Sequence, residues 1–249
     1  MRKISKHLLV GSNISLVTTR QLANPEFAHV LCSEHLVDSC LLSTATKEGA
    51  YLFPLYLYYN EKNTPLKEPL PNLHPDFVKL VAEKTGKERT PEEIFYYIYG
   101  ILYTPSYRKR YAQFLRYDFP RIPVFDGPTF EKISRLGAGL VSLHLMKHPL
   151  PKLRVRFPVP GNHEVRRVNY NEKEKKVWIN DEEYFEGVEP EAWEYRIGGY
   201  QVLKKWLEER KRWRRRLSAE EVEHFRKVHE VLLLTIEIQK KLDEVWPLK

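Results

Sequence analysis

Cysteine is nearly missing from this sequence: Cys32 and Cys40 are the two in 249 residues. They lie among Leu, Val and His with no second pair nearby, so neither a thiolate zinc cluster nor a disulfide framework can be assembled, and buried reduced thiols are expected. Long apolar runs are missing as well. No stretch approaches the roughly 20 apolar residues of a membrane-spanning helix, and the opening MRKISKHLLVGSN lacks the long apolar core and small-residue cleavage site of a signal peptide. These absences imply no membrane partner and a reducing, cytoplasmic compartment. There is also no GKT or GKS phosphate loop, no carboxylate cluster suited to a metal-dependent nuclease, no internal repeat and no low-complexity segment.

What is present describes a folded, basic protein. Hydrophobic residues make up 42% and aromatics 12% of a chain long enough for one large domain or two small ones. Lys and Arg number 41 against 33 Asp and Glu, a net charge of +8 with a sequence pI near 9.3. Such an excess suits a polyanion, because each phosphate neutralised by Lys or Arg releases condensed counterions. A merely solvated basic surface has the same composition, so charge alone is a weak pointer.

The stretch TPEEIFYYIYGILYTPSYRKRYAQFLRYDFPRIP, residues 90–123, reads as two helices in tandem. Thr90 is placed to N-cap the first, Pro91 fits its first turn, and Glu93 closes a capping box. Gly100 loosens that helix before Thr104 and Pro105 repeat the signal. Tyr107, Tyr111, Phe114 and Leu115 then form an apolar stripe of helical period, with Arg108, Lys109, Arg110 and Arg116 pointing elsewhere. Pro120 ends the segment ahead of an Arg121, Ile122, Pro123 turn.

IFYYIYGILYTPSYRKRY followed by FPRIP resembles the helical signature of the C-terminal specificity domain of type ISP restriction-modification enzymes. Those are single chains combining nuclease, translocase, adenine methyltransferase and target-recognition parts. VWINDEEYFEGVEPEAWEYRIGGYQVLKKWL at 177–207 is similar to a second segment of that family, in the same order. LVTTRQ at 16–21 and HLVDSCLLSTATKEGAYLFPLYLY at 35–58 resemble the beginning of the same domain.

Elsewhere the pattern alternates. Residues 14–58 look strand-rich, with Tyr51, Phe53, Leu55 and Leu57 on one side of a strand that Pro54 confines to an edge or bulge. Residues 60–75 read as a surface connection, and helix resumes near Asp76. A third helix carries Phe130, Ile133, Leu136, Leu140 and Val141 on a stripe that includes His144 as a core histidine, with Gly137 and Gly139 allowing close packing. Val168 and Tyr170, then Val177 and Ile179, flank the charged tip NEKEKK of a hairpin. Gly198 and Gly199 form a turn opening a helix near Tyr200, and Ser218 with Glu221 caps the last helix. The reading is an α+β fold, a mainly antiparallel sheet from 14–58 and 150–185 packed by several helices, divided as 1–60, 61–149 and 150–249.

Several strings have two readings. GNHE at 161–164 mimics a metallophosphoesterase motif, but the Asp-x-His and Gly-Asp-x-x-Asp partners are missing, so chance similarity is the better account. Glu174 and Lys176 echo half of a nuclease site yet sit at a solvated hairpin tip. RKRWRRR at 210–216 can follow a phosphate backbone with Trp213 ready to stack, or be a solvated charge run.

The resemblance implies a sequence-specific reader of double-stranded DNA. It implies no catalysis, metal or cofactor of its own, since the S-adenosylmethionine loop and the Asn-Pro-Pro-Tyr motif of the family's methyltransferase are both missing. Residues 1–60 then join a methyltransferase part that precedes them, on a longer chain or a separate subunit. Phosphate contacts are expected from Arg108, Arg110 and Arg121 and from Arg196, Lys204 and Lys205, which flank the Gly198, Gly199 turn, with Arg20 and Tyr200 beside them. Free amides at that turn suit an anion. Base edges are expected to meet Ser43, Thr44 and Lys47 of the STATKEG loop. A metal-dependent phosphoesterase using GNHE, and an RNA-binding or protein-interaction module, are the alternatives.

Overall fold

The computed structural model describes residues 4, 6–23, 26–44, 48–60, 62 and 64–247. Contacts divide the chain into two units, residues 1–148 with 237–249 and residues 149–236. Segments 1–60 and 61–148 thus belong to one unit.

In the first unit β1 (Ser15–Thr18) pairs antiparallel with β2 (Val30–Ser33) on one side and β3 (Tyr51–Pro54) on the other. A hairpin of β4 (Tyr56–Tyr59) and β5 (Pro65–Pro71) follows. Helices come next: α1 (Pro75–Thr85), α2 (Pro91–Tyr103), α3 (Pro105–Arg110), α4 (Ala112–Leu115) and α5 (Gly127–His144). Thr90 and Glu93 form the expected reciprocal capping box, and Asp126 accepts from the Thr129 amide to cap α5. Proline stands in the first turn of α1, α2, α3 and α5, where its missing N–H costs nothing.

Helices α2 and α5 approach each other closely, and glycine is the reason. A Cβ on Gly137 would lie 1.9 Å from the Tyr96 carbonyl oxygen, and one on Gly100 would lie 2.8 Å from that of Ile133. Gly100 is therefore a packing residue, where the sequence suggested a loosened helix. Gly139, expected to share this role, meets only the tip of Ile238 at 3.5 Å. Around the crossing Tyr97, Tyr99, Tyr103 and Tyr107 are buried with their hydroxyls satisfied. Tyr97 donates to Pro123 O (2.7 Å), Tyr103 to Val30 O (2.8 Å) and Tyr107 to Arg121 O (2.9 Å). Tyr99 lies 2.7 Å from His144 Nδ1. Burial drives the His144 pKa down to about 3, so that ring stays neutral.

The second unit holds a meander of β6 (Asn169–Asn171), β7 (Lys176–Trp178) and β8 (Tyr184–Glu186). Helix α6 (Pro190–Trp193), a hairpin of β9 (Arg196–Ile197) and β10 (Tyr200–Gln201), and α7 (Val202–Arg212) follow. The last helix, α8 (Ala219–Val245), contributes residues up to Ile236 here and the remainder to the first unit. Val177, Phe185, Trp193, Leu207, Phe225 and Leu232 form the core. Phe185 stacks on Phe225 at 4.1 Å between ring centroids.

The α+β reading holds, but one sheet becomes four small antiparallel ones among the described residues. Pro65–Pro71, expected as plain connection, is a strand; almost all of it is exposed, so no alternation of polarity was required. Tyr51 and Phe53 face outward while Leu52 is buried, because β3 stops at Pro54 and the bend at Leu55 reverses which side chains turn inward. The Tyr107 stripe is interrupted at Tyr111, whose φ of −105° and ψ of 17° end α3. Phe114 is consequently 73% exposed while Tyr107 and Leu115 are buried. Thr104 makes no side-chain cap; its hydroxyl donates to the Gly100 carbonyl. Cys32 is buried as expected, its thiol pushed up to about 11 by burial, whereas Cys40 is exposed.

Candidate nucleic-acid interface

The basic residues of the first unit divide by what the backbone around them needs. Arg108 follows the turn from α2 into α3, and its Nε donates to the Leu102 carbonyl (2.6 Å), one of the last carbonyls of α2. Its guanidinium lies 4.8 Å from the Tyr103 ring centroid. This half-buried side chain is a brace for the helix end. Arg110 and Arg121 are exposed, and the backbone oxygen of Arg121 accepts from Tyr107. Arg20 pairs with Asp118 at 3.1 Å. The Asp118 carboxyl is held below its usual range by the Phe119 amide first and Arg20 second. A groove of about 610 Å³ runs between Tyr107, Phe114, Tyr117, Phe119 and Arg121. Its aromatic wall and the exposed cations Arg110 and Arg121 form the candidate surface of this unit.

The STATKEG loop is only partly described. Ser43 is buried and Thr44 exposed, and Lys47 lies outside the described residues. Behind it Glu48 is buried, accepting from the Ala23 amide (2.6 Å) and facing His29 Nε2 at 3.2 Å. Ser43 therefore presents no side chain to solvent here, which departs from the expectation of an open base-reading edge.

In the second unit Gly198 and Gly199 join β9 to β10. Gly198 has φ of 59°, the left-handed value that the first position of a two-residue II′ hairpin turn requires. The helix starts at Val202, two residues later than expected, and the Val202 amide donates to the Tyr195 carbonyl (3.1 Å). The glycine pair thus shapes a hairpin and does not itself open the helix. Around it Arg196 donates to Gly199 O (3.4 Å), Lys204 is exposed, and Lys205 sits 3.3 Å from the Tyr200 ring centroid and 3.3 Å from Glu209. Arg20, Arg108, Arg110 and Arg121 belong to the first unit, and Arg196, Lys204 and Lys205 to the second.

GNHE has a structural use. A Cβ on Gly161 would lie 2.5 Å from Glu183 Cδ, and His163 adopts φ of 58°. Buried Glu183 accepts from the His163 amide (2.9 Å) and from Asn180 (2.7 Å), and it pairs with the His163 ring. Burial raises the Glu183 pKa, but these partners outweigh it and hold the carboxyl below its usual range. Among the described residues no group of three or more His, Cys, Asp and Glu side chains is arranged to hold a metal ion. Glu174 and Lys176 form a 3.2 Å ion pair beside the β6–β7 turn, as a solvated hairpin tip requires.

The run at 210–216 stood outside the expected contact residues. Its arginines separate by partner: the mostly buried Arg210 and the exposed Arg215 converge on Glu221 at 3.1 and 2.9 Å, whereas Arg212, Arg214 and Arg216 are exposed, as is Trp213. The capping box of Ser218 and Glu221, legible just beyond the run, was the signal that this carboxylate stands close to the arginines.

Comparison with known proteins adds a family and a fold. The family model for the Type ISP C-terminal specificity domain matches residues 1–238. A cryoEM DrdV-DNA complex is similar with a TM-score of 0.72 at 22% identity, over 96% of this chain and 25% of that one. The ATP-dependent Type ISP restriction-modification enzyme LlaBIII bound to DNA gives 0.74 at 20% identity, over 94% and 16%. A nuclease-deletion mutant of the Type ISP enzyme LlaGI in complex with a DNA substrate mimic gives 0.67 at 20%, over 94% and 21%. At these identities the likeness is one of fold, and the chain spans a quarter or less of each of those proteins. No curated protein matches it.

Proposed function

This chain belongs to the Type ISP C-terminal specificity domain family, and from that membership we propose that it recognises a specific sequence in duplex DNA on behalf of a restriction-modification enzyme. The observation that carries the reading is the family match over residues 1–238. The DNA-bound state of the structures that share its fold supports it.

Recognition of this kind needs two sorts of contact. Cations fix the register on phosphates, and a few side chains meet base edges in the major groove. Arg110, Arg121, Arg196 and Lys204 are exposed cations suited to the first task. Thr44 is exposed with a hydroxyl suited to the second. The catalytic work falls to other parts, an adenine methyltransferase and a nuclease on the same parent chain or a separate subunit. Use of GNHE for hydrolysis is disfavoured, because His163 and Glu183 hold each other.

Selection from a randomised duplex library by the 249-residue chain tests the reading. Enrichment of one motif is expected, with RNA of the same sequence competing poorly. Retention of a library indistinguishable from its input would remove the specificity reading. Calorimetry is expected to find no S-adenosylmethionine binding.

A further inference from the structure

Trp213 is 70% exposed, an unusual position for a tryptophan, and its surroundings show that it is held there. Helix α7 ends in a Schellman motif: the Arg215 amide donates to Arg210 O (3.0 Å) and the Arg214 amide to Lys211 O (3.0 Å). The left-handed residue of that motif is normally glycine. Here it is Arg214, with φ of 45°. A side chain in that conformation costs stability, and its retention points to a use for the guanidinium. The apolar contact that usually closes the motif is replaced by Glu221, which grips both Arg210 and Arg215. The exit strand is clamped as well, since Val165 N donates to Arg215 O (3.0 Å) and Leu217 N to His163 O (2.9 Å). These hydrogen bonds and ion pairs hold the corner as a platform.

The platform presents one ring and three cations. No carboxylate among the described residues lies within 4.0 Å of Arg212, Arg214 or Arg216. Glu164, whose carboxyl is held below its usual range by Arg166 first and by Arg214 and Arg216 in lesser part, is bonded to Arg166 at 2.9 Å. Beside the indole opens a cleft of about 340 Å³ lined by Glu209, Arg210, Arg212, Trp213 and Arg215. An indole flanked by guanidinium groups is the arrangement that stacks on a nucleic-acid base while its flanking phosphates are neutralised. Bases inside an intact duplex offer no free face, so the complementary ligand is a strand with an unstacked nucleotide.

We infer that the Arg212–Arg216 corner is a binding site for an unstacked DNA nucleotide, with Trp213 stacking on the base and Arg212, Arg214 and Arg216 holding the phosphates on either side. The inference rests on the DNA reading above and extends it from intact to locally opened duplex. A base in the cleft would also meet the Glu209 carboxylate, an acceptor for an exocyclic amino group.

The test compares the 249-residue chain on two duplexes of one sequence, one intact and one carrying a single unpaired nucleotide, at low salt where binding does not depend on the target sequence. The wild type is expected to bind the second about tenfold more tightly, the scale of one base–aromatic stack. W213A, which removes a mostly exposed ring and its 5.5 Å contact with Arg212, is expected to bind both alike at the affinity of the intact duplex. R214G is expected to fold at least as well and to bind both more weakly, with a shallower salt dependence. Quenching of tryptophan fluorescence by the unpaired-base duplex is expected to vanish in W213F. Equal wild-type affinities, or a preference retained by W213A, overturn the inference while duplex binding leaves the wider reading standing. Failure to bind either duplex overturns both.

Discussion

Residues 107–121 and residues 210–216 both crowd arginines around aromatic rings, yet they employ those cations differently. In the first, the one arginine drawn into the fold serves a backbone carbonyl: Arg108 closes the end of α2 through Leu102 O. In the second, a single carboxylate engages two arginines, the mostly buried Arg210 and the exposed Arg215, which meet on Glu221. What remains exposed differs in consequence. Arg121 lines an aromatic groove and Arg110 is exposed on α3, whereas Arg212 lies 5.5 Å from the exposed Trp213 ring and the exposed Arg214 and Arg216 follow it in the chain. Charge density in a sequence thus measures neither accessibility nor role. The nearest unsatisfied acceptor decides which cations are left for a partner.

The largest expected effect tests the acidic hub. Glu221 closes the capping box of α8 and neutralises the mostly buried Arg210, so E221A is expected to lower stability by about 2–3 kcal/mol, the sum of a lost cap and a stranded charge. E221Q keeps the box and loses the ion pairs, so an intermediate loss is expected in urea titration. Burial raises the Glu221 pKa, but the Ser218 amide, Arg210 and Arg215 outweigh it and lower it from 4.5. The sign follows: the contribution is complete above that unperturbed value and disappears as pH falls through the lower folded one. The stability difference between wild type and E221Q is therefore expected to shrink on acidification below about pH 4.5. A difference independent of pH would show that charge is not what binds the two arginines.

Arg108 comes second. R108A is expected to cost about 1–2 kcal/mol, for one hydrogen bond to a carbonyl and one cation–π contact. R108K keeps the charge but not the planar Nε donor, so less than half of the loss is expected to return. Full recovery with lysine would make Arg108 a simple charge and undo the contrast between the two segments. Third, R214G is expected to raise stability by about 0.5–1 kcal/mol, because glycine adopts the left-handed cap without steric penalty. An unchanged or lower melting temperature would show that the Arg214 side chain itself supports the corner.

The contrast was only half legible in the sequence, for a physical reason. Caps and prolines are local, so Thr90 with Glu93 and Ser218 with Glu221 announced their helices, and the tyrosine string announced a core. Strand β5 was hidden because an almost fully exposed strand needs no apolar alternation, and the strand read through Leu57 divides at Leu55 into β3 and β4. Ion pairs are set by tertiary placement. Asp118 reaches Arg20 across 98 residues, and the partner of Arg108 is a carbonyl, which no side-chain pattern reveals. The signature strings identified the family. They did not tell exposed arginines from those that brace a helix end.

The smallest expected effect on stability is at Arg110 and Arg121, and it separates the exposed cations from Arg108 most directly. Both side chains are exposed, and no carboxylate among the described residues lies within 4.0 Å of either. R110A and R121A are accordingly expected to unfold within about 0.5 kcal/mol of wild type, as surface substitutions away from caps and ion pairs do. If each cation neutralises one phosphate, each substitution removes about one released counterion. The slope of log K against log salt is then expected to become shallower by about 0.9 per residue, and by about twice that in the double variant if the sites act independently. The loss is expected to be equal on any duplex, since a phosphate contact carries no sequence information. R108A, measured where it remains folded, is expected to leave the slope unchanged. The reverse outcome, a shallower slope in R108A with none in R110A or R121A, would transfer the DNA contact to the arginine that braces α2 and remove the aromatic groove from the interface.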